Sequence, residues 1–199
     1  MISLTKTQLK VLAYLIDNRE NMQGIRELAK SISTVYYLVQ KNVHQLKKKK
    51  AVELQKAGKT MVVKISEQAD SSYLAEAENF KRELFYKRYP YIRTMLKKII
   101  KEAKSCFFIL IVFGSYAKKP SNDSDLDILA IAPDQNHREI LGNAIRSAAR
   151  TSTIIIHEEV IEEKSFISMI QKKELNVGSE AMENHIIAYG AENYYKLIR

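Results

Sequence analysis

The hydrophobic pattern of this chain changes near its middle, from helical spacing to short strand-like apolar runs. Apolar residues three and four positions apart predict a first helix that starts after Leu4. The same spacing predicts a second helix over 24–32 and a third over 33–49, with Ser33 or Thr34 as its N-cap. The third helix is expected to turn these apolar side chains inward: Val35, Leu38, Val39, Val43 and Leu46.

Two strand-like runs, 52–56 and 60–65, flank Gly58 and predict a β-hairpin after the third helix. Three helices followed by a hairpin resemble a winged helix-turn-helix domain, which we place at residues 1–68. In that family the third helix enters the DNA major groove and the hairpin wing touches the backbone or the minor groove. The resemblance implies that DNA is contacted by Thr34, Tyr36, Tyr37, Gln40, Lys41, His44, Lys47, Lys48, Lys49, Lys50, Lys56, Lys59 and Lys64.

The charge distribution agrees with a polyanionic partner for this first part. The net charge of the chain is +9. Residues 1–70 hold 13 basic and 6 acidic side chains, whereas residues 106–199 hold 10 basic and 13 acidic ones. Such asymmetry indicates a basic module that binds nucleic acid. The alternatives are a solvated basic helix, or a winged helix that serves protein contacts or dimerisation.

Residues 69–105 are expected to form a connecting helix that Pro90 kinks or breaks. Tyr86, Tyr89 and Tyr91 lie among basic residues in this segment. Aromatic residues interleaved with cations bind nucleic acid in some proteins and mark interdomain or subunit surfaces in others. Both interpretations stay open.

The last part of the chain, 106–199, alternates apolar strand-like runs with helical segments. This alternation predicts a small sheet with helices on one or both faces, an α/β or α+β fold. The predicted strands are 107–113, 126–132 and 153–157, and the predicted helices are 136–150, 162–173 and 178–198.

A glycine turn and two carboxylates lie between the first two of these strands. Gly114 and Ser115 end one apolar run, and Asp125 and Asp127 begin the next. Residues i and i+2 of a strand lie on one face, and two close carboxylates repel each other unless a cation lies between them. Mg²⁺ is bound by carboxylates together with substrate phosphates, which a tight glycine turn can approach. The alternative is a surface loop over 121–125 whose polar side chains only form turns.

Gly-Ser, nine residues and then Asp-x-Asp between apolar strands resemble the motif of the DNA polymerase beta-type nucleotidyltransferases, especially their minimal prokaryotic members. The resemblance implies that Asp125 and Asp127 hold two Mg²⁺ ions and that the chain transfers a nucleoside monophosphate from an NTP, ATP being favoured, to an acceptor hydroxyl. Some relatives adenylylate a HEPN-type ribonuclease toxin, so a protein acceptor is among the expectations. The nucleotide would be bound by Gly114, Ser115, Lys118, Lys119 and Ser124.

The third strand departs from this family's pattern. The family places a third carboxylate in that strand, but here no acid interrupts the apolar run before His157. Glu158 is the expected third catalytic carboxylate, although it and Glu159 also suit the start of the next helix. His157 is a second option, as a base or a phosphate contact. The alternative function is therefore a DNA-binding regulator whose second domain senses nucleotide or dimerises, and a third is a purely structural interaction protein.

Composition limits the cellular compartments that this protein is expected to occupy. The chain has 199 residues and one cysteine, Cys106, so an internal disulfide is impossible and a reducing compartment fits. We see neither a signal peptide nor an uninterrupted apolar run of membrane-spanning length, and we expect a cytoplasmic protein. Because winged helices commonly bind DNA as two-fold dimers, we also expect a homodimer.

Overall fold

The computed structural model describes residues 4–19, 21–58, 60–103, 107–118, 124–172, 174 and 176–198. The chain divides into two compact units, Met1–Phe80 and Lys81–Arg199, called here the first and the second unit. The structure confirms a mixed composition of helices and strands, at the level of an α/β fold.

The first unit holds a three-stranded sheet and a group of helices. Its elements are α1 Lys6–Asp17, β1 Gln23–Gly24, α2 Ile25–Ser31, α3 Tyr36–Lys48, β2 Val52–Ala57 and β3 Thr60–Ile65. The sheet order is β1-β3-β2 with antiparallel pairing throughout. The predicted helices and hairpin are confirmed, whereas β1 was not predicted because two residues carry no alternation signal.

Polar groups as well as apolar ones fix α3 on α1. Val11 and Leu12 of α1 and Val39 and Val43 of α3 are almost completely buried. Asn42 is buried among them, accepting a hydrogen bond from the Thr5 hydroxyl at 2.8 Å and donating one to the Leu38 carbonyl at 2.8 Å. A buried amide is tolerated when it is paired in this way, so it fixes how the two helices meet.

The start of α3 differs from the sequence prediction. Val35, whose apolar side chain cannot accept a hydrogen bond, holds the N-cap position that was predicted for Ser33 or Thr34. Val35 and Leu38 were expected to point inward, but they are 68% and 44% exposed. The physical reason is the later helix start, because Val35 then precedes the first turn. The inward face consists of Val39, Asn42, Val43 and Leu46.

Two consecutive helices occupy the middle of the chain, α4 Ser71–Arg88 and α5 Pro90–Glu102. Tyr89 separates them and is the N-cap of α5. Pro90 takes the first helical position, where its missing N–H costs no hydrogen bond. The predicted break at Pro90 is thus confirmed.

The second unit contains a four-stranded mixed sheet. Its remaining elements are β4 Ile109–Phe113, α6 Gly114–Lys118, β5 Leu126–Ala132, α7 Gln135–Ala149, β6 Ile156–Glu162, α8 Glu163–Gln171, α9 Val177–Glu183, β7 Ile186–Tyr189 and α10 Ala191–Leu197. The strand order is β6-β5-β4-β7. β5 and β6 run parallel, while β4 is antiparallel to both of its neighbours.

Apolar burial assigns the two faces of this sheet. Leu126, Ile128 and Ala130 of β5 pack in one core with side chains of α5 and α7. Because side chains alternate along a strand, Asp127 and Leu129 belong to the opposite face. All residues of β5 except Asp127 are buried, so the second carboxylate lies in an otherwise apolar central strand.

Two predicted elements of the second unit are wrong. The third strand, β6, covers Ile156–Glu162 rather than 153–157. The predicted helix over 178–198 is two short helices with the strand β7 between them. β7 ends at Tyr189, and the next residue, Gly190, has φ of +79°, a left-handed conformation that glycine adopts without strain.

No helix among the described residues combines the length and the apolar character that crossing a lipid bilayer requires.

Candidate functional site

Strand register brings the glycine turn and the carboxylates together. Phe113, the last residue of β4, is paired with Asp127 on β5. Gly114 follows Phe113 directly and has φ of +65°. A Cβ atom built on Gly114 would overlap with Oδ2 of Asp127 and would lie 3.0 Å from its Cγ. Only glycine therefore allows the backbone to turn this closely over the Asp127 carboxylate.

The other predicted nucleotide-binding residues lie around this turn. Ser115 belongs to α6, and its hydroxyl donates to the Asp125 carbonyl at 3.4 Å. Lys118 is exposed at the end of α6. Ser124 directly precedes Asp125 and is partly buried. Lys119 lies outside the described residues, as does most of the 121–125 loop.

His157 contacts both aspartates across the parallel strand pair. β5 and β6 pair Asp127 with His157, so the two side chains share a sheet face. The imidazole Nδ1 lies 3.6 Å from Oδ1 of Asp127, and Nε2 lies 3.8 Å from Oδ2 of Asp125. These separations are longer than hydrogen bonds, and the contacts are ion pairs only when the imidazole is protonated. His157 thus lies beside the two aspartates on β6, where the resemblance drawn from the sequence predicts a third carboxylate.

Burial and like charges make the ionised form of Asp127 unfavourable. Burial is the largest cause that raises the pKa of Asp127, and the carboxylates of Glu180 and Asp125 raise it further. The imidazole of His157 lowers this pKa and offsets part of the increase. A carboxylate in such surroundings gains from a bound cation.

Glu158 does not join these groups. The register pairs it with Ile128, so it lies on the sheet face that packs against α5 and α7. Glu158, expected from the sequence to be the third carboxylate, is therefore directed away from Asp125 and Asp127. Side-chain alternation along β6 is the physical reason.

Glu180 of α9 is a site residue that sequence analysis missed. α9 packs against β4, and the Glu180 carboxylate acts on Asp127. The sequence gives no signal for it, because Glu180 is far from Asp127 along the chain and was predicted to lie in one long helix over 178–198.

The two aspartates are oxygen donors of the type that a divalent cation such as Mg²⁺ takes. Glycine at position 114 lets the backbone come close to one of them, because the Asp127 carboxylate occupies the space that a side chain there would fill. Among the described residues, no group of three or more His, Cys, Asp or Glu side chains could hold a metal ion by itself.

A basic and aromatic surface on the first unit is a separate candidate site. Tyr37, Lys41 and His44 are exposed on α3, and Gln40 is partly buried there. Lys48 is exposed at the end of α3 and Lys56 on β2, while Thr34 is partly buried before the helix. Lys59 lies outside the described residues.

A cavity of about 340 Å³ opens between α2, α3 and the hairpin. Its lining includes Arg26, Tyr36, Gln40 and His44. The Arg26 guanidinium lies 5.7 Å from the centre of the Tyr36 ring, a cation–π contact. These side chains place hydrogen-bonding groups and an aromatic ring beside the hairpin.

Comparisons of this chain with models of protein families, with curated proteins and with solved structures found no match.

Proposed function

We propose that the second unit is a nucleotidyltransferase domain of the DNA polymerase beta type, which transfers a nucleoside monophosphate from an NTP to an acceptor hydroxyl. One observation carries the proposal, the close approach of the Gly114 turn to Asp127. A turn that only connected two strands would not need glycine pressed against a partly buried carboxylate. A turn that admits a triphosphate beside two acidic side chains does need it.

Different residues of this chain would bind the phosphates and the metal ion and so orient the nucleotide. The turn at Gly114 and the hydroxyl of Ser115 would receive the β- and γ-phosphates, since the first N–H groups of a helix lack acceptors within it. Asp125 and Asp127 would hold Mg²⁺, which supplies neutralisation of the phosphate charge when it is bound. Lys118 would add positive charge from the end of α6.

The proposed transfer exchanges one phosphorus–oxygen bond for another and needs no redox partner. The acceptor oxygen forms a bond to the α-phosphorus, the bond from that phosphorus to the bridging oxygen breaks, and pyrophosphate leaves. The acceptor hydroxyl loses its proton to a base or to water. His157 is the titratable group that the strand register places nearest both carboxylates among the described residues. The acceptor that we favour is a hydroxyl on a protein.

Calorimetric titration tests the nucleotide site without knowledge of the acceptor. ATP and GTP are titrated into the purified protein with and without Mg²⁺, in parallel with the double variant Asp125→Asn/Asp127→Asn. We expect binding that needs the metal and that the double variant lacks. The matched control is Asp134→Asn, an exposed acid that caps α7 away from this motif. Equal binding by the protein and by the double variant would contradict the proposal.

The first unit supports a second activity, DNA binding by a winged helix. The observation in favour is the run of exposed cations at the end of α3, Lys47 and Lys48, next to the hairpin. Each phosphate neutralised by a lysine steepens the dependence of binding on salt. Lys47→Gln/Lys48→Gln should therefore weaken duplex binding and flatten its salt slope. Lys97→Gln/Lys101→Gln on α5 is the control with the same change of charge, and equal effects of both pairs would contradict DNA binding through α3.

A DNA-binding regulator with an inactive second unit is the alternative function. The contact of His157 with both aspartates favours it, because an imidazole stands where the family has a carboxylate. Incubation with α-labelled ATP and candidate protein acceptors separates the two functions. Label on an acceptor supports the transferase, whereas nucleotide binding without transfer supports the regulator.

A further inference from the structure

Helix α3 begins with an exposed apolar turn, defined here as residues 35–38. Val35 and Tyr37 are each 68% exposed, and Tyr36 and Leu38 are 41% and 44% exposed. Single exposed hydrophobic side chains are ordinary on protein surfaces, whereas adjacent ones mark binding surfaces. The apolar turn is therefore a feature that the fold of the first unit does not explain.

The other end of α3 is basic. Lys47 and Lys48 are exposed in its last turn, and Lys41 is exposed between them and the apolar turn. A helix rises about 1.5 Å per residue, so Lys47 lies roughly 15 Å along the axis from Tyr37. The occupant of this surface must carry negative charge and also present apolar groups within this distance.

Duplex DNA meets both conditions. Its phosphates attract the lysines, and the C5-methyl group of thymine is the apolar group that the major groove displays. The charge of residues 1–70, 13 basic against 6 acidic side chains, is complementary to a polyanion. A protein surface that carries acidic and apolar groups meets the same two conditions, and the duplex titration described below separates it from DNA.

The side chains of α3 also indicate which bases are read. Guanine is usually contacted by arginine or lysine, adenine by asparagine or glutamine, and thymine by apolar side chains. Gln40 follows the apolar turn, and Tyr36–Lys48 contains no arginine. Its exposed lysines, Lys41, Lys47 and Lys48, are assigned here to the phosphates rather than to guanine. Arg26 of α2 lies against Tyr36 rather than on the reading helix.

We propose that α3 recognises A·T-rich duplex DNA, the apolar turn contacting thymine methyl groups and Gln40 an adjacent adenine. This inference rests on the proposed DNA binding of the first unit and adds the class of sequence. It makes the methyl group of thymine, rather than the phosphate backbone, the source of base preference.

Removal of that methyl group is the direct test. Fluorescence anisotropy measures the affinity of the full chain for three duplexes of equal length at one salt concentration. They are an A·T-rich duplex, the same duplex with dU in place of dT, and a G·C-rich duplex. Burial of one methyl group corresponds to roughly a four-fold change in affinity. We expect the dU duplex to bind at least about four-fold more weakly than its thymine parent.

Variants show whether α3 is responsible for the difference. Tyr37→Ala should bring the ratio between the thymine and dU duplexes close to one. Met22→Ala is the matched control, since Met22 is 57% exposed in the same unit but lies outside α3. Both side chains are exposed, so neither variant should disturb folding.

The outcomes separate this inference from the proposed function. Duplex binding that is equal for all three DNAs overturns the base preference while DNA binding stands. A ratio that Tyr37→Ala leaves unchanged overturns the role of the apolar turn. Failure to bind any duplex at low salt overturns both, and the apolar turn is then a protein contact.

Discussion

Gly114→Ala is the substitution with the clearest structural consequence for the candidate site. Gly114 has φ of +65°, and a left-handed conformation costs a residue with a side chain about 1–2 kcal/mol. The added Cβ also overlaps with Oδ2 of Asp127. Moving that carboxylate out of its rotamer costs about 1 kcal/mol more. We expect Gly114→Ala to lower the free energy of unfolding by about 2–3 kcal/mol.

Two further variants separate these contributions. Gly58 has φ of +59° and nothing within 4 Å of a Cβ built on it, so Gly58→Ala reports the left-handed strain alone. Asp127→Ala removes the overlapping oxygen and keeps Cβ, which would lie 3.4 Å from the new methyl group. In the Asp127→Ala background the cost of Gly114→Ala should therefore fall to about 1–2 kcal/mol.

Urea denaturation of the four members of this double-mutant cycle gives the coupling free energy, expected to be about 1 kcal/mol. Titration with ATP and Mg²⁺ is run on the Gly114→Ala protein under conditions where it is folded. We expect the affinity to fall, because the Asp127 carboxylate is displaced. A cost of Gly114→Ala that is equal with and without the Asp127 carboxylate would refute the close approach of turn and carboxylate.

Asp127→Asn should raise the thermal unfolding temperature of the metal-free protein in calorimetry, because burial and neighbouring acids disfavour the ionised form; an unchanged or lower temperature would contradict this. Because the pKa of Asp127 is raised in the folded state, the free energy of unfolding should fall as pH rises from about 3.9, the ordinary pKa of aspartate, through the folded-state pKa. Asp127→Asn should reduce this dependence of the free energy of unfolding on pH. Gly190→Ala should destabilise more than Gly114→Ala in urea, since its Cβ meets the backbone carbonyl of Phe108 rather than a side chain. Asn42→Ala should cost about 1–3 kcal/mol through its lost buried hydrogen bonds, and a value near zero in urea would argue against them.

The elements with strong periodicity could be predicted from the sequence. β5 lies at 126–132 as predicted, because its apolar run follows polar residues and ends at Pro133, which cannot continue a strand ladder. The position of Pro90 also fixed the break between α4 and α5. β7, in contrast, covers four residues after an α-helical segment, and a short apolar run does not distinguish strand from helix.

The candidate site could be predicted only where its members are close along the chain. Asp125 and Asp127 share a face because two residues separate equivalent positions of any strand. The contact between Gly114 and Asp127 needs the pairing of Phe113 with Asp127, which the sequence does not specify. Glu180 reaches the site through the packing of α9 on β4, a tertiary contact that leaves no local signal.

The register of β6 decides which residue stands beside Asp127. In the observed register Ile154, Ile156 and Val160 pack on the core formed with α5 and α7, so His157 falls on the other face, opposite Asp127. A shift by one residue would bring Glu158 to the carboxylates but would turn His157 and Glu159 toward that core.

The observed register keeps three apolar side chains against the core and leaves Glu158 there, partly buried. The shifted register would instead turn Ile155 and Ile161 toward this core, and the three side chains that now pack there would leave it. Burial of an aliphatic side chain contributes about 1.5–3 kcal/mol, which is enough to hold the strand in place. Core packing therefore sets which side chain of β6 stands beside Asp127 and Asp125, and His157→Asp is the substitution that would place a third acid there in the same register.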